Sequence, residues 1–218
     1  MNDPLWTLLQ LSDSAFPTGG FAHSNGLEAA YQQGELGEDG LGSWLDQTLW
    51  QAGFAGLPFL GAAFDDPGAL ARADRLNDNF LSNPVANRAS RSVGRCLVAA
   101  FAAAFPEPRL EVWLEAEGLF LHHAPALGAA CAAIGVARGD AQRLFLHGAL
   151  RGGLSAAVRL GAAGPLEAQR LQAERAPTLS AVLSRCSDIP PEDAAQTAPL
   201  HELFQMTQDR LYSRLFQS

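Results

Sequence analysis

The sequence predicts an all-α fold, a single-domain bundle of roughly eight to ten helices. Apolar residues recur at three- and four-residue spacing along most of the 218 residues, whereas the alternating pattern of a half-buried strand is absent. Valine and isoleucine, which favour strands, are sparse. Proline and glycine interrupt the apolar pattern where helix-to-helix connections are expected. A chain of this length can bury a sizeable core without disulfides.

The first third of the chain is predicted to hold four helices separated by breaker residues. Phe16-Pro17-Thr18-Gly19-Gly20 separates the first two, because Pro17 fixes its own φ and the glycines permit positive φ. A polar loop at Gly34, Gly37 and Gly40 precedes the third helix, which Pro58 is expected to end or kink. The predicted helices span residues 5–11, 24–33, 41–56 and 69–79, and Asp65-Asp66-Pro67 is expected to cap the last one.

Six further helices are predicted between residues 84 and 186. The first follows Ser82-Asn83-Pro84 and carries Arg88, Arg91 and Arg95 on one side, a row that usually marks a solvated face. Residues 124–134 are small and apolar, so a tightly buried helix approached closely by its neighbours is expected there. The predicted spans are 84–105, 110–117, 124–134, 140–160, 166–172 and 178–186.

The chain is expected to divide into three parts. Residues 1–186 form the helical domain, residues 187–198 form a proline-rich acidic linker, and residues 199–218 form a tail. The tail is rich in the residue types that dominate interfaces, including Tyr212, Arg214 and Phe216. It can therefore bind a partner, or alternatively pack back on its own core.

Composition excludes several classes of protein. A formal net charge of −8 and a pI near 5.0 argue against a nucleic-acid partner. No apolar run approaches the roughly 20 residues of a membrane span, and residues 1–4 lack the basic region of a secretory signal, so we expect a cytoplasmic protein. Cys96, Cys131 and Cys186 are widely spaced among apolar residues and are expected to be buried free thiols.

Residues 16–30, FPTGGFAHSNGLEAA, are the stretch that helix-building alone does not explain. A phosphate-binding loop is excluded, because Gly20 and Gly26 have the wrong spacing and all fifteen basic residues of the chain are arginine. The residues around Ser24 lack the first glycine of a nucleophile elbow. Two interpretations stay open: a docking surface with Phe16 and Phe21 as aromatic anchors, or a plain connection between two helices.

Two chemical alternatives concern the histidines. A nickel-binding metallochaperone would use His23, His122, His123 or His201, although the chain has no HExxH or CxxC motif. A hydrolase would pair Ser24 with His23, but neighbouring residues on a helix diverge and no orienting carboxylate is evident. No cofactor is expected.

Three stretches together resemble the UreF family of urease accessory proteins. They are LLQLSDSAFPTGGFAHSNGLEAA at residues 8–30, residues 122–172 from HHAPALGAA to GPLEAQRLQ, and LYSRLF at residues 211–216. SNPVANRASRSVGRCL, at residues 82–97, is a looser match to the central helix of the family. The stretches occur in family order and cover most of the chain.

The resemblance implies an all-helical, dimeric, cytoplasmic protein without enzymatic activity. It implies partners: the accessory protein UreD, also called UreH, the GTPase UreG, and apo-urease, into which nickel is inserted with GTP hydrolysis by UreG. It assigns partner binding to the tail residues Tyr212, Ser213, Arg214, Leu215 and Phe216, with Arg214 foremost. It also assigns partner-facing or dimer-adjacent roles to residues of the stretch 16–30, namely Phe16, Gly19, Gly20, Phe21, Ser24, Gly26 and Glu28.

Two qualifications accompany the resemblance. Gly26, Leu27 and Glu28 can alternatively serve only to position the helix. Where the family commonly has Met-Arg-His-Glu, this chain has Met206-Thr207-Gln208-Asp209, and the missing basic pair puts any polar contact at those two positions in doubt.

Overall fold

The computed structural model describes residues 4–36 and 40–218. These residues contain eleven α-helices and no strand, which confirms the all-α prediction and exceeds the expected helix number by one. The predicted loop at Gly34, Gly37 and Gly40 lies partly on residues 37–39, outside the described residues. The helices are α1 Pro4–Ser12, α2 Leu27–Gln32, α3 Gly40–Asp65, α4 Leu70–Phe80, α5 Pro84–Ala104, α6 Pro108–Glu115, α7 His123–Ala133, α8 Arg138–Leu160, α9 Pro165–Glu174, α10 Ala176–Cys186 and α11 Pro199–Thr207.

The short helix α7 lies at the centre of the fold, in contact with the long helices α3, α5 and α8. All eight residues from Ala124 to Cys131 are buried, as its small apolar sequence predicts. A Cβ atom on Gly128 would lie 2.2 Å from the carbonyl oxygen of Leu60, so α3 and α7 approach at backbone distance. Gly94 permits the same approach between α5 and the turn before α7, where an added Cβ would lie 1.9 Å from the carbonyl oxygen of Leu121.

A buried carboxylate holds the turn that leads into α7. Asp74 on α4 accepts backbone N–H bonds from Phe120, Leu121 and His122 at 2.6, 3.1 and 2.7 Å. Leu121 has a φ of +59°, an uncommon value for a branched residue. The three charge-assisted bonds offset the strain at this residue and fix where α7 begins.

Helix α3 does not end at Pro58, contrary to the prediction, but continues to Asp65. Proline lacks the N–H that would bond to the carbonyl oxygen four residues earlier, which belongs to Phe54. The backbone N–H of Ala195 donates to that oxygen at 3.2 Å. The helix therefore passes through a proline because residues 187–198 supply the missing donor.

The same segment is attached to α3 at a second place. The side-chain oxygen of Gln51 accepts hydrogen bonds from the backbone N–H groups of Thr197 and Ala198, at 2.5 and 2.9 Å. Residues 187–198 thus lie along α3, while their designation as a linker between two units stays a prediction.

The helix starts predicted at Ser82-Asn83-Pro84 and at Asp65-Asp66-Pro67 are confirmed. The Asn83 side chain accepts N–H bonds at the first turn of α5, and Asp66 does so in the turn before α4.

One prediction about the cysteines is wrong. Cys131 and Cys186 are buried free thiols, and burial raises the pKa of Cys131 to about 12. Cys96 is exposed, because it lies on the outer side of α5 beside the backbone of Gly19.

No helix in residues 4–36 and 40–218 combines the length and the apolar character needed to cross a membrane.

Replacing Gly94 with alanine should destabilise the fold by at least about 2 kcal/mol, because α5 would have to move away from the Leu121 carbonyl. The matched control is Gly152→Ala within α8, where no atom lies within 4 Å of an added Cβ. That change should raise the free energy of unfolding by about 0.5–1 kcal/mol, the usual gain from replacing a helical glycine. Urea unfolding followed by circular dichroism measures both, and equal stabilities would contradict the close packing described.

Candidate functional site

Residues 16–26, here called the corner, connect α1 to α2. Phe16 packs edge-on against Phe101 of the core, with ring centroids 5.6 Å apart. Gly19 and Gly26 have φ values of +74° and +88°, which favour glycine. A Cβ on Gly26 would lie 2.9 Å from the backbone nitrogen of Gln205, so the start of α2 is pressed against α11. Phe21 projects outward with 73% of its surface exposed.

The end of the described chain returns to this corner and bonds to it. The backbone N–H groups of Ser24 and Asn25 donate to the main-chain oxygen of Ser218 at 2.6 and 3.1 Å, and the Ser24 hydroxyl donates to the same oxygen at 2.8 Å. The N–H of Gln217 donates to the carbonyl oxygen of Ala22 at 2.8 Å. Two stretches that the sequence singled out separately, almost 200 residues apart, are therefore in direct contact.

The centre of this contact is the carboxylate of Glu28, which is completely buried. Its Oε1 accepts the backbone N–H of Leu215 at 2.7 Å, and its Oε2 accepts that of Phe216 at 3.1 Å. The side-chain amides of Gln208 and Gln32 donate to Oε2 and Oε1 at 2.6 and 3.3 Å. All four of these donors are neutral, so amide groups from α2 and the tail, and no ion pair within the described residues, replace the water around the carboxylate.

The aromatic ring of Phe216 fixes the tail in the core. It is 3% exposed and joins a second apolar cluster with Leu27 and Trp44. The guanidinium of Arg159 on α8 lies 4.2 Å from the ring centroid and donates to the carbonyl oxygens of Phe21 and Leu215. Arg159 thus contacts both the corner and the tail.

Other tail side chains face outward. The Tyr212 side chain is fully exposed, and Leu215 is 58% exposed. Arg214 is also exposed and donates to Asp209 at 2.7 Å. Asp209 forms a second ion pair, with Arg88 of α5, at 2.9 Å. These two arginines, Arg88 first, lower the pKa of Asp209. The tail therefore combines a buried main-chain anchor with exposed side chains.

The residues predicted for partner binding fall into two groups. Ser24, Gly26, Glu28 and Phe216 are buried within their own chain and hold the corner and the tail together. Phe16, Gly19 and Gly20 are partly buried, and the exposed group is Phe21, Tyr212, Ser213, Arg214 and Leu215. Their assignment to a partner stays a prediction, while their common location is a structural finding.

Sequence reasoning missed four residues of this site. The doubted positions Thr207 and Gln208 do make polar contacts, Thr207 to the carbonyl oxygen of Phe204 and Gln208 to Glu28. The next residue, Asp209, pairs with Arg88 and Arg214. Arg159 was not singled out, and Arg88 was assigned to a solvated row. The sequence signal for all four was only their polarity, because each acts through a residue far away in the chain.

The four histidines named for metal binding contact different groups, and His123, which lies near enough to His23 to be affected by its charge, packs against Phe145 with ring centroids 5.2 Å apart. His23 Nδ1 is 2.8 Å from the Ser218 hydroxyl, and the His122 ring bonds to Asp78 and Ser90 at 3.0 and 3.1 Å. His201 stacks on Trp44 with centroids 3.6 Å apart. Within residues 4–36 and 40–218, no group of three or more His, Cys, Asp or Glu side chains is placed to hold a metal ion.

Ser24 and His23 do not form the pair that a hydrolase would need. The Ser24 hydroxyl donates to the main-chain oxygen of Ser218, and the His23 ring faces the Ser218 side chain. Burial, with a smaller contribution from Arg88, lowers the pKa of His23.

Comparison of the sequence with known proteins shows the family to which the chain belongs. The model of the UreF family matches residues 36–176, more than half of the chain. The chain belongs to the UreF family. Urease accessory protein F of Oryza sativa subsp. indica is 36% identical over 220 residues, covering 97% of this chain and 84% of the relative. The Arabidopsis thaliana protein of the same description is 35% identical over 219 residues, covering 97% and 91%.

A bacterial relative extends the comparison. Urease accessory protein UreF of Trichodesmium erythraeum is 31% identical over 221 residues, covering 96% of this chain and 94% of the relative. The UreF-family match at 36–176 lies between the corner and the tail, whereas the relatives align over nearly the whole chain. The resemblance inferred from the sequence motifs is thus confirmed.

Replacing Glu28 with glutamine should loosen the tail, because an amide would present N–H groups where four donors require an acceptor. We expect the tail anchor to weaken by about 2 kcal/mol, which is roughly a thirtyfold faster amide exchange at Leu215 and Phe216. Hydrogen exchange followed by NMR measures the exchange rates of these two amides. The matched control is Glu35→Gln at an exposed position, and equal exchange in both variants would contradict the anchoring role of Glu28.

The stability of the protein should fall as pH falls from about 6.5 to 4, in part because of His201. Burial lowers the pKa of this histidine to about 4, and its Nε2 is buried without a hydrogen-bond partner in the described chain. The unfolded chain, with an imidazole pKa of about 6.5, binds more protons in this range. The stabilisation is therefore complete above about pH 6.5, and up to about 3 kcal/mol of it is lost by pH 4.

The variant His201→Phe keeps an aromatic ring against Trp44 and removes the proton-binding group. Urea unfolding at pH 4 and pH 7 should show a smaller loss for the variant than for the wild type. Some loss will persist, because burial also lowers the pKa of His123 to about 4. Parallel pH dependences of the two proteins would show that His201 does not contribute.

Proposed function

We propose that this chain is a urease maturation factor that acts as a scaffold between other proteins. In this proposal it assembles with a UreD or UreH accessory protein and the GTPase UreG on apo-urease, and the assembly inserts nickel with GTP hydrolysis. The chain works in the cytoplasm as a homodimer and catalyses no reaction itself. Membership of the UreF family and the description of its relatives as urease accessory proteins support this role.

The arrangement of the tail is the observation that carries the proposal. Glu28 holds the tail through the backbone N–H groups of Leu215 and Phe216, so the anchor does not use the side chains of Tyr212 and Arg214. These side chains are exposed and are of the types that contribute most to protein interfaces. A tail fixed in this way loses little conformational entropy when a partner binds.

The GTP requirement belongs to a partner in this proposal. The chain contains no lysine and no phosphate-binding loop motif, which P-loop GTPases need. Nickel is the cargo of the assembly, handed on by the complex and not a resident cofactor of this chain.

Replacing Arg214 with alanine should abolish recruitment of UreG to the complex of this chain with its UreD-type partner. The fold should be preserved, because the lost contact is an exposed ion pair with Asp209, worth at most about 1 kcal/mol. A pull-down with purified UreG measures recruitment, and urea unfolding checks the fold.

The matched control is Arg210→Ala, which removes from the same tail an exposed arginine that forms no ion pair within the described residues. Normal UreG recruitment and normal urease activation by Arg214→Ala would contradict the assignment of the tail.

A further inference from the structure

A surface pocket of about 570 Å³ lies where α4 ends and α5 begins. It is lined by Leu81, Ser82, Pro84, Asn87, Arg88 and Arg91. The two arginines of this pocket, Arg88 and Arg91, belong to the row that the sequence predicts to be a solvated face. The pocket gives these arginines a concave setting, which a plain solvated face does not have.

Arg91 has the properties of an unoccupied anion-binding group. Its guanidinium carbon lies 4.7 Å from the ring centroid of Phe120, so one flat face rests on an aromatic ring. No oxygen in the described part of the chain accepts a hydrogen bond from it. The stacking limits its rotation while the N–H groups along its edges stay available for a planar acceptor.

Arg88 shows that this face of α5 binds carboxylates. Its Nη2 donates to both carboxylate oxygens of Asp209, at 2.9 and 3.1 Å. The other nearby carboxylate, Asp78, is engaged by the Asn87 amide at 2.9 Å and by His122 at 3.0 Å. Both intrachain carboxylates therefore have other hydrogen-bond partners, and Arg91 makes no close ion pair with either. The Asn87 amide, followed by His122 and the charge of Arg91, lowers the pKa of Asp78, so Arg91 acts on this carboxylate only through space.

We propose that this pocket binds a carboxylate side chain from an acidic segment of a partner protein. The planar fork of Arg91 would receive the carboxylate, and Leu81 and Pro84 provide an apolar wall for the methylene groups of a glutamate. The amide nitrogen of Asn87 is already used by Asp78 and Leu81, and Arg88 is paired with Asp209, so Arg91 is the main donor left.

The overall charge of the chain makes this site selective. With a net charge of −8, most of the surface repels an acidic partner. Arg91, the pocket arginine without a close carboxylate partner, then determines where such a partner can dock and in which orientation. The volume exceeds what a single phosphate ion fills, which favours a peptide side chain with its neighbouring backbone.

The test measures binding of a fluorescein-labelled, glutamate-rich peptide with both ends blocked, by fluorescence anisotropy at low salt. A peptide of the same length with glutamine in place of glutamate should not bind. Arg91→Gln should weaken binding of the glutamate peptide at least about tenfold, the loss expected for a charge-assisted hydrogen-bonded pair.

The matched control is Arg185→Gln on α10. Arg185 is likewise exposed and lies over an aromatic ring, 5.7 Å from the centroid of Phe54, but it does not line the pocket. This variant removes the same charge and should bind the peptide like the wild type. Thermal unfolding of both variants checks that they are folded.

Inorganic phosphate distinguishes a peptide site from a small-anion site. Retained peptide binding in millimolar phosphate at constant ionic strength supports the proposal. Displacement of the peptide by phosphate at a concentration below the dissociation constant of the peptide overturns it. Equal binding by Arg91→Gln and Arg185→Gln, or equal binding of the glutamate and glutamine peptides, also overturns it.

Discussion

The structure of the site depends on one buried carboxylate that has no cationic partner among the described residues. A charge removed from water is tolerated only when hydrogen bonds replace the lost solvation, and Glu28 receives four of them from amide groups. Two come from the tail backbone, at Leu215 and Phe216, and one from Gln208 beside α11. The tail is therefore part of the environment that allows Glu28 to be buried. The corner, α2, α11 and the tail are in mutual contact, and separating the tail from α2 removes the two backbone donors of Glu28.

In this arrangement the backbone N–H groups attach the tail to α2, while the side chains of the tail stay exposed. Backbone N–H groups are available at any residue except proline, so the anchor at Leu215 and Phe216 places few demands on the outward side chains. Tyr212 and Arg214 can then be specified by a partner without affecting the fold. The scaffold role proposed for this chain would use such a combination of a fixed backbone and exposed side chains. The ion pairs of Asp209 with Arg88 and Arg214 add a surface connection between the tail and α5.

The sequence predicts the helices well because spacing and caps are local properties, as the Asn83 cap of α5 illustrates. Pro58 shows where local reasoning fails: the donor that permits it within α3 is Ala195, which no window around the proline contains. The corner and the tail were both recognised from their residues, and their contact was not, since it is made largely by main-chain groups. The resemblance assigns Glu28 to a partner-facing motif or to the positioning of α2, and neither assignment predicts a contact with the tail. The burial of Glu28 follows from the tertiary structure alone, as does the ion pairing of Asp209.

The bond between Ala195 and Phe54 also has a consequence for how the protein is made. A ribosome releases α3 about 130 residues before it releases Ala195, which at typical rates of synthesis is an interval of several seconds or more. During that interval the carbonyl oxygen of Phe54 has only water as a partner, and the helix is open at its proline. The nascent chain therefore lacks the protein donor for this one backbone oxygen until synthesis is almost complete, although α4, α7 and α8, which pack on α3, are released earlier. A C-terminally shortened product that lacks Ala195 would leave the proline site of α3 without this bond.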